Sequence, residues 1–242
     1  MSDNLFLHKY NKYKTKYFNL KRKMKDDQQH NFYFVHSTTS FENLLNILKS
    51  GTIYPGKDLE PSQRKFCGSE AASKFIFTNI YFEDLQNLSH TRDYSLLLHP
   101  KIMYKNGFFF NRGWIAGTCN ESIYVDGKNA VINNEQITQI KKFLENPTNI
   151  PELMKTNLWN HEILFNTPID LNDGNLIGIV CNYGDATDWT IWRKTIKKLP
   201  LPTDKPLKLI QKAIRNKSYS NVKIMVRNAP LYTLEELTEY NS

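Results

Sequence analysis

The fold is decided by one stretch of the chain, Phe32 to Gly56, which reads FYFVHSTTSFENLLNILKSGTIYPG. Its first four residues form a short apolar run, which predicts a buried strand that ends at His36. Ser40 is a good helix N-cap, and the apolar residues after it recur at helical spacing up to Gly51, a residue typical of helix C-termini. The pattern therefore predicts a strand that brings an imidazole to the edge of a cleft, followed by a packed helix.

Length and composition indicate an ordered globular protein with a substantial core. The chain has 242 residues, of which 40% are hydrophobic and 13% aromatic, which indicates either one large domain or one domain plus an appendage. No apolar run approaches the roughly 18 residues needed to cross a bilayer, and the N-terminus lacks the apolar segment of a secretory signal. We therefore predict no membrane partner, and the sequence leaves the oligomeric state open.

The cysteines argue against two common kinds of site. Cys67, Cys119 and Cys181 are odd in number and far apart, which argues against a disulfide framework and for a reducing compartment. The chain contains neither C-x-x-C nor H-E-x-x-H spacing, so we predict no metal site.

The positive charge of the chain is concentrated in one segment, Lys9 to Lys25. The net charge is +8, and this segment contains eight basic residues and no acidic one, which leaves 24 residues of each sign elsewhere. Its aromatic and apolar residues recur every three or four positions, which predicts one helix over residues 4–27. We assign residues 1–30 to a basic aromatic N-terminal helix or arm and residues 31–242 to an α+β domain of catalytic type. The arm could pack on that domain, bind nucleic acid or self-associate.

Short strands and helices follow one another along the remaining chain, which predicts an α+β fold with peripheral helices. Leu176–Cys181 is the most apolar strand, so we expect it to lie centrally. Asp126-Gly127 is a strong turn signal, and Ala130–Ile132 would complete a hairpin with Ser122–Val125. The other predicted strands are Phe75–Thr78, Tyr94–His99, Gly107–Phe110, Trp159–Phe165 and Val222–Val226, and the predicted helices are Glu135–Leu144, one that begins at Asp185 or Thr187 and ends at Lys198, and Leu207–Asn216.

The opening stretch resembles the start of the ADP-ribosyltransferase superfamily, and especially its DarT-like toxins and their viral relatives. These proteins begin with a strand, His-x-Thr, an x-N-L-x-x-I-L-x-x-G helix and a short strand, and the matching residues here are His36, Thr38, Asn43, Leu44, Ile47, Leu48 and Gly51. The resemblance implies split antiparallel sheets around a cleft for NAD. The Tyr-x-x-Lys-Tyr pattern of the arm is similar to N-terminal segments of giant DNA viruses of amoebae, which implies a viral protein of the host cytoplasm or the virion.

The resemblance also implies a catalytic carboxylate, which we assign to Glu162 because it begins an apolar strand followed by Pro168. Cleavage of the N-glycosidic bond of NAD develops positive charge on the ribose, and a fixed carboxylate beside that ribose binds the transition state better than the ground state. Glu162 would take this catalytic role. His36, the second catalytic residue that the resemblance implies, would hold the adenosine-side ribose, and Thr38 would support its loop as one of the residues that bind NAD.

Two further NAD contacts follow from the resemblance. Tyr81, with Phe77 behind it, is the expected aromatic residue that stacks on nicotinamide. Arg64 or Arg92 is expected on the pyrophosphate, because a planar guanidinium matches phosphate geometry. The predicted activity is transfer of ADP-ribose from NAD to a macromolecular acceptor.

Three other functions stay open from the sequence. A glycohydrolase would use the same site with water as the acceptor. A non-catalytic nucleic-acid-binding or virion protein would use the basic arm. A cysteine hydrolase would pair Cys67 or Cys119 with a histidine, and the candidates for that base are His90, His99 and His161.

Overall fold

The fold was taken from a computed structural model of the chain. It describes residues 32–38, 40–60, 72–82, 93–111, 122–145, 162–182, 184–190, 193–199, 204–217, 219, 221–227 and 238–239. Contacts between residues divide the chain into two compact units, Met1–Asn31 and Phe32–Ser242. All the described residues belong to the second unit.

The described residues form thirteen strands and four α-helices. The strands are β1 (Phe32–Thr38), β2 (Thr52–Ile53), β3 (Ile76–Phe82), β4 (Tyr94–Leu98), β5 (Phe108–Asn111), β6 (Ser122–Val125), β7 (Glu162–Phe165), β8 (Ile169–Asp170), β9 (Leu176–Asn182), β10 (Gly184–Thr190), β11 (Arg193–Leu199), β12 (Lys223–Arg227) and β13 (Thr238–Glu239). The helices are α1 (Phe41–Ser50), α2 (Ile102–Asn106), α3 (Asn134–Glu145) and α4 (Asp204–Asn216). Short 3₁₀ turns occupy Gly56–Asp58, Ala72–Lys74 and Gly127–Asn129.

Nine of these strands form one sheet, with β1 in its middle. The order is β13-β12-β9-β4-β1-β3-β7-β5-β6, and two separate pairs are formed by β10 with β11 and by β2 with β8. Neighbouring strands of the large sheet are antiparallel, except that β9 and β12 run parallel. Strand β7 lies between β3 and β5, so a strand from late in the chain pairs with two strands that precede it in the sequence.

The sequence of the opening stretch explains its conformation. The Ser40 side chain accepts a hydrogen bond from the Asn43 amide at 3.2 Å and thereby caps α1. Leu44 and Leu48, one turn apart, are both buried. Gly51 ends the helix with a φ of +79°, a conformation that glycine adopts at little cost, and its amide donates to the Ile47 carbonyl at 2.9 Å. The predicted strand, cap, helix and stop are therefore confirmed.

Successive side chains of each strand point to opposite sides of the large sheet, which therefore has two distinct faces. On the face that we call the helix face, Phe34 packs in the main core with residues of α1, α3 and α4, among them Leu44, Ile140 and Ile210. On the other face, which we call the far face, Val35 packs in a smaller cluster with Tyr81, Leu97 and Val180. Any site on the sheet therefore belongs to one face or the other.

The α+β prediction is confirmed, and several of its details are wrong. The expected split sheets are instead one large, mostly antiparallel sheet. The predicted helix that ends at Lys198 is the hairpin β10–β11, in which Thr190 pairs with Arg193. The segment that contains it, Gly184 to Leu199, is rich in Thr, Ile and Trp, residues that favour strands when they pair with a neighbour.

Two smaller differences concern the segment before α3. Ala130–Ile132 does not pair with β6, because a 3₁₀ turn at Gly127–Asn129 leads directly toward the helix. The predicted helix Glu135–Leu144 is α3, which begins one residue earlier, at Asn134, and is capped by Asn133. Asn133 and Gln136 exchange side-chain to amide hydrogen bonds, each 2.9 Å long, which is the reciprocal pattern of a capping box.

The strand Leu176–Cys181 is inside the sheet, as its apolar character indicates, but β1 takes the central position. None of the helices in the described ranges is long and apolar enough to cross a membrane.

Candidate active site on the far face of the sheet

Three polar residues lie side by side across β3, β7 and β5. Asn79 pairs with Glu162 in the register of β3 and β7. Phe110 pairs with Ile163 in the register of β7 and β5, and the next pair along brings Asn111 opposite Glu162. Directly opposed residues of an antiparallel sheet point to the same face. Asn79, Glu162 and Asn111 therefore form one row, which we call the polar row.

The carboxyl group of Glu162 is the chemical centre of the polar row. Burial raises its pKa to about 7, and the hydrogen bond from the Asn111 side chain opposes that rise. Nδ2 of Asn111 donates a hydrogen bond to Oε2 of Glu162. A carboxyl with a pKa near neutral exchanges its proton at physiological pH, and strongly shifted values of this kind concentrate at functional sites.

Asn79 contributes an acceptor on the other side of the carboxyl group. Its Oδ1 is buried and has no hydrogen-bond partner among the described residues. An unsatisfied buried acceptor costs on the order of 1–3 kcal/mol, so a ligand group that donates a hydrogen bond there would gain affinity. The polar row thus contains an acid flanked by two carboxamides.

A second row on the same face lies two residues along the strands. Phe77 pairs with Leu164, Leu164 with Phe109, and Phe109 with Tyr124. We call these four residues the aromatic row. It runs parallel to the polar row at a separation of roughly 7 Å, which is two residues of a strand.

The far face contains Glu162 but not the side chain of His36. Val35 aligns with Asn79, and Asn79 aligns with Glu162, so these three residues share one face. His36 follows Val35, and alternation turns its side chain to the helix face. Its Nδ1 donates to the carbonyl oxygen of Phe77 at 2.9 Å. The expected cleft with His36 and Glu162 on facing walls is therefore not formed by these strands.

Thr38 has a local role at the end of β1. Its hydroxyl oxygen accepts a hydrogen bond from the Ser40 amide at 3.2 Å, two residues ahead of it. This contact shapes the turn into α1, next to the Ser40 cap. Thr38 therefore supports this turn, as the resemblance implied, and its contact with NAD stays a prediction.

The two aromatic residues expected on nicotinamide lie on the same face as Glu162. Tyr81 is buried in the small far-face cluster with Val35 and Leu97. Phe77 is partly buried and belongs to the aromatic row. The burial of Tyr81 indicates that its ring packs against these side chains rather than offering a free face.

Several expected residues lie outside the described ranges. They are Arg64 and Arg92, the basic arm Lys9–Lys25, and the cysteine hydrolase candidates Cys67, Cys119, His90 and His161. Of the remaining candidates, His99 accepts a hydrogen bond from the Lys101 amide at 3.0 Å through Nδ1. Cys181 is buried, and burial raises the pKa of its thiol to about 12, so this thiol is a poor nucleophile. No cluster of three or more metal-ligating side chains occurs within the described ranges.

Sequence reasoning missed Asn79 and Asn111. Asn79 lies between Thr78 and Ile80 inside β3, and Asn111 ends β5 directly after the apolar run Phe108–Phe110. A polar residue at a core position of a strand needs a partner or a function, which is the signal that could have identified them. The pairing of these residues with Glu162 depends on strand order, which the sequence does not show.

Comparison with known proteins gives a family but no activity. Residues 29–147 match a family of unknown function (DUF5846). The chain is 47% identical over 240 residues to the uncharacterized protein R11 of Acanthamoeba polyphaga mimivirus, and the alignment covers 98% of this chain and 85% of that protein. No solved structure matches.

These matches correct the resemblance drawn from the opening stretch. Neither match is to the ADP-ribosyltransferase superfamily, so that assignment was wrong. A strand, a histidine and a capped helix form a short pattern that unrelated folds also produce. The likeness of the arm to giant-virus proteins agrees with the mimivirus relative. The chain therefore belongs to the family of the uncharacterized mimivirus protein R11, in which residues 29–147 carry the DUF5846 match of unknown function.

Proposed function

We propose that the protein cleaves the bond between nicotinamide and ribose in NAD, with Glu162 as the group that stabilises the transition state. The ADP-ribose would pass to a macromolecular acceptor, or to water in a glycohydrolase. The observation that supports this proposal is the environment of Glu162, a shielded carboxyl with a pKa of about 7 between two carboxamides. The proposal does not depend on the family resemblance that the comparisons overturned.

The presence of a single acid in the polar row favours an N-glycoside of a cationic base. Hydrolysis of ordinary O-glycosides needs a proton donor for the leaving oxygen and a second carboxylate. Nicotinamide leaves as a neutral molecule and needs no proton. One carboxylate beside the ribose is then sufficient, because it stabilises the positive charge that develops on the sugar.

The raised pKa of Glu162 fits a site that is completed by a cationic ligand. At neutral pH the carboxyl group is partly protonated, because burial disfavours its charged form. A pyridinium ring bound next to it would favour the ionised form and would gain affinity in return. The two carboxamides would bind ribose hydroxyls, with Oδ1 of Asn79 as an acceptor. His36 has no part in this mechanism, because its side chain turns to the helix face.

The proposal is tested by following nicotinamide release from NAD. We expect Glu162→Ala and Glu162→Gln to lower the rate at least ~100-fold, a loss typical for removal of a charge-stabilising group. Glu42→Gln, which changes an exposed carboxyl of α1, is the matched control and should act as the wild type does. Intact NAD after long incubation with the wild type, alone and with protein, DNA or RNA acceptors, would refute the proposal.

The dependence of kcat/KM on pH is a second, independent test of the role of the Glu162 carboxyl. The ionised form is the active one, so kcat/KM should rise with pH through about 7 and level off above it, following the pKa of the free enzyme. A rate that falls over this interval would show that the protonated form is active and that Glu162 is instead a general acid.

A second candidate is a non-catalytic nucleic-acid-binding or virion protein, and the charge distribution favours it. Eight basic residues without an acid between Lys9 and Lys25 carry the whole formal net charge of the chain. Replacement of Lys9, Lys12, Lys14 and Lys16 by glutamine in the full chain should weaken oligonucleotide binding and flatten its dependence on salt. Unchanged binding and an unchanged salt slope would exclude this role for the arm.

A further inference from the structure

We propose that Asn111 is a positioning residue of the candidate active site, which holds the Glu162 carboxylate in a fixed orientation on the far face of the sheet. In the proposed function, on which this role of Asn111 rests, the carboxylate lies beside the ribose of NAD. Besides any contact with a ribose hydroxyl, the carboxamide of Asn111 therefore acts through Glu162.

The backbone of Asn111 is placed by strands on both sides of it. Asn111 pairs with Ser122 of β6, and the register of β5 with β7 brings it opposite Glu162. Opposed residues of an antiparallel pair point to the same face, so the carboxamide meets the carboxyl group without a bend in either strand. Its Nδ2 donates to Oε2 of Glu162. The contact is thus built on the sheet, which holds a functional group more precisely than a loop does.

The hydrogen bond between the two side chains is shielded from water. Asn111 is 2% exposed, and the Glu162 carboxyl is also buried. A hydrogen bond to an ionised group is roughly twice as strong as one between neutral groups, and water does not compete with it in the interior. The last torsion of a glutamate side chain is otherwise broadly distributed. A donor fixed at one carboxylate oxygen therefore sets the direction of the other oxygen.

A carboxamide suits this position because it donates a hydrogen bond without carrying a charge. Arginine or lysine at position 111 would neutralise the negative charge that stabilises the transition state. The N–H of Asn111 leaves that charge in place. Burial raises the pKa of Glu162 and this hydrogen bond lowers it, so Asn111 increases the fraction of the carboxyl that is ionised at neutral pH.

The titration of the Glu162 carboxyl tests the proposal without NAD. NMR spectroscopy of the full chain with isotope-labelled glutamate follows its ionisation, and Glu162→Gln identifies the signal, which is absent from that variant. We expect Asn111→Leu to raise the titration midpoint by about one to two pH units, the size for loss of a hydrogen bond to a charged group. Asn111→Asp keeps the shape of the side chain but replaces the donor by a second carboxyl. The glutamate signal should then show a step above the wild-type midpoint, because adjacent carboxyls do not ionise together.

Asn106→Leu is the matched control. It also removes a carboxamide that donates a hydrogen bond, in this case to the Pro168 carbonyl at 3.0 Å and outside the polar row. Its titration midpoint should equal that of the wild type, and circular dichroism checks that each variant keeps the fold. An unchanged midpoint in both Asn111 variants, or an equal rise in Asn106→Leu, would overturn the proposal. A lowered midpoint in Asn111→Leu would overturn it too, because Asn111 would then accept a hydrogen bond from the protonated acid.

The loss of orientation has a separate effect on the cleavage of NAD. Asn111→Leu should lower kcat by about 10-fold to 100-fold even above its raised midpoint, where the carboxylate is ionised again, because a displaced group loses its alignment. Full recovery of kcat at high pH would contradict a role in positioning. A raised midpoint in a protein that leaves NAD intact would refute the cleavage of NAD and would still support the placement of the carboxylate by Asn111.

Discussion

Glu162 is placed where a carboxyl group lowers the stability of the fold, which is the expected signature of a residue kept for function. Burial raises its pKa to about 7, whereas an exposed glutamate has a value near 4.5. Folding therefore disfavours the charged form that a neutral solution otherwise prefers. The carboxamide of Asn111 offsets part of this cost through its hydrogen bond.

This arrangement predicts a pH-dependent gain in stability for Glu162→Gln. Below the pKa of the unfolded chain, both states of the wild type are protonated and the carboxyl costs nothing. As pH rises to about 7 the unfolded state ionises first, so the wild type loses stability and stays lower above that pH. Glutamine does not ionise and keeps an oxygen that accepts from Asn111, so the variant should exceed the wild type by on the order of 2 kcal/mol above about pH 8.

Urea unfolding at about pH 5 and about pH 8 measures this difference, which should be small at the lower pH and large at the higher. Glu42→Gln is the control, because the carboxyl of Glu42 is exposed and its loss should change the free energy of unfolding little at either pH. A variant that is no more stable than the wild type at either pH would mean that burial of the carboxyl costs little.

At this scale the sequence identifies single candidate residues better than it identifies the residues that lie beside them in the fold. Glu162 stood out because it begins an apolar strand, and its position on the sheet supports its use as a candidate residue. Asn79 and Asn111 did not stand out, because their importance comes from lying beside Glu162 on separate strands. His36 was chosen for its position at the end of a strand, but one residue of register decides its face, and that register is set by partners remote in sequence.

At the scale of single elements, local rules explain α1 completely. A capping serine, an apolar face and a glycine stop act within a few residues of one another, so the sequence alone locates this helix. The hairpin β10–β11 shows the limit of such rules. Its residues allow either a helix or a strand, and the choice depends on pairing between the two halves of the segment.

The helix stop leads to a prediction for Gly51→Ala. Gly51 has a φ of +79°, which strains any residue with a Cβ. The added Cβ would also lie 3.4 Å from the hydroxyl of Tyr219, which itself donates to the Leu48 carbonyl at 3.0 Å. We expect a loss of about 1–2 kcal/mol in the free energy of unfolding, measured with urea.

Lys49→Ala is the control for this prediction, because Lys49 is exposed in the last turn of the same helix. It should change the free energy of unfolding by less than about 0.5 kcal/mol. If Gly51→Ala were as stable as that control, the left-handed conformation would not be required at the end of α1.

At the scale of the whole molecule, the order of strands is what the sequence could not predict. The most apolar strand, β9, was expected at the centre of the sheet. The central strand is instead β1, which has four strands on each side. Strand order follows from pairings between segments far apart in the chain, and apolar character alone does not distinguish one interior position from another. The fold class needs only the types of the elements, so it was predictable.

The same order predicts how protection from hydrogen exchange is distributed. Amides of β1 are flanked on both sides by paired strands, whereas β6 and β13 are the outermost strands of the described sheet. We expect β1 to exchange at the rate of global unfolding, and β6 and β13 to exchange faster through local opening. Mass spectrometry of peptides from each strand measures this. Similar hydrogen-exchange rates in β1 and β6 would contradict this strand order, in which β1 is central and β6 is at the edge.

The insertion of β7 between β3 and β5 also has a consequence for synthesis on the ribosome. Strands β1, β3 and β4 emerge early and can pair at once, and β5 can pair with β6 as soon as both are made. The edge of β3 then waits unpaired until Phe165 has left the exit tunnel, during which time it is open to other nascent chains. Closing that gap is also the step that removes the Glu162 carboxyl from water, so maturation of the candidate active site and protection from misassembly would occur together.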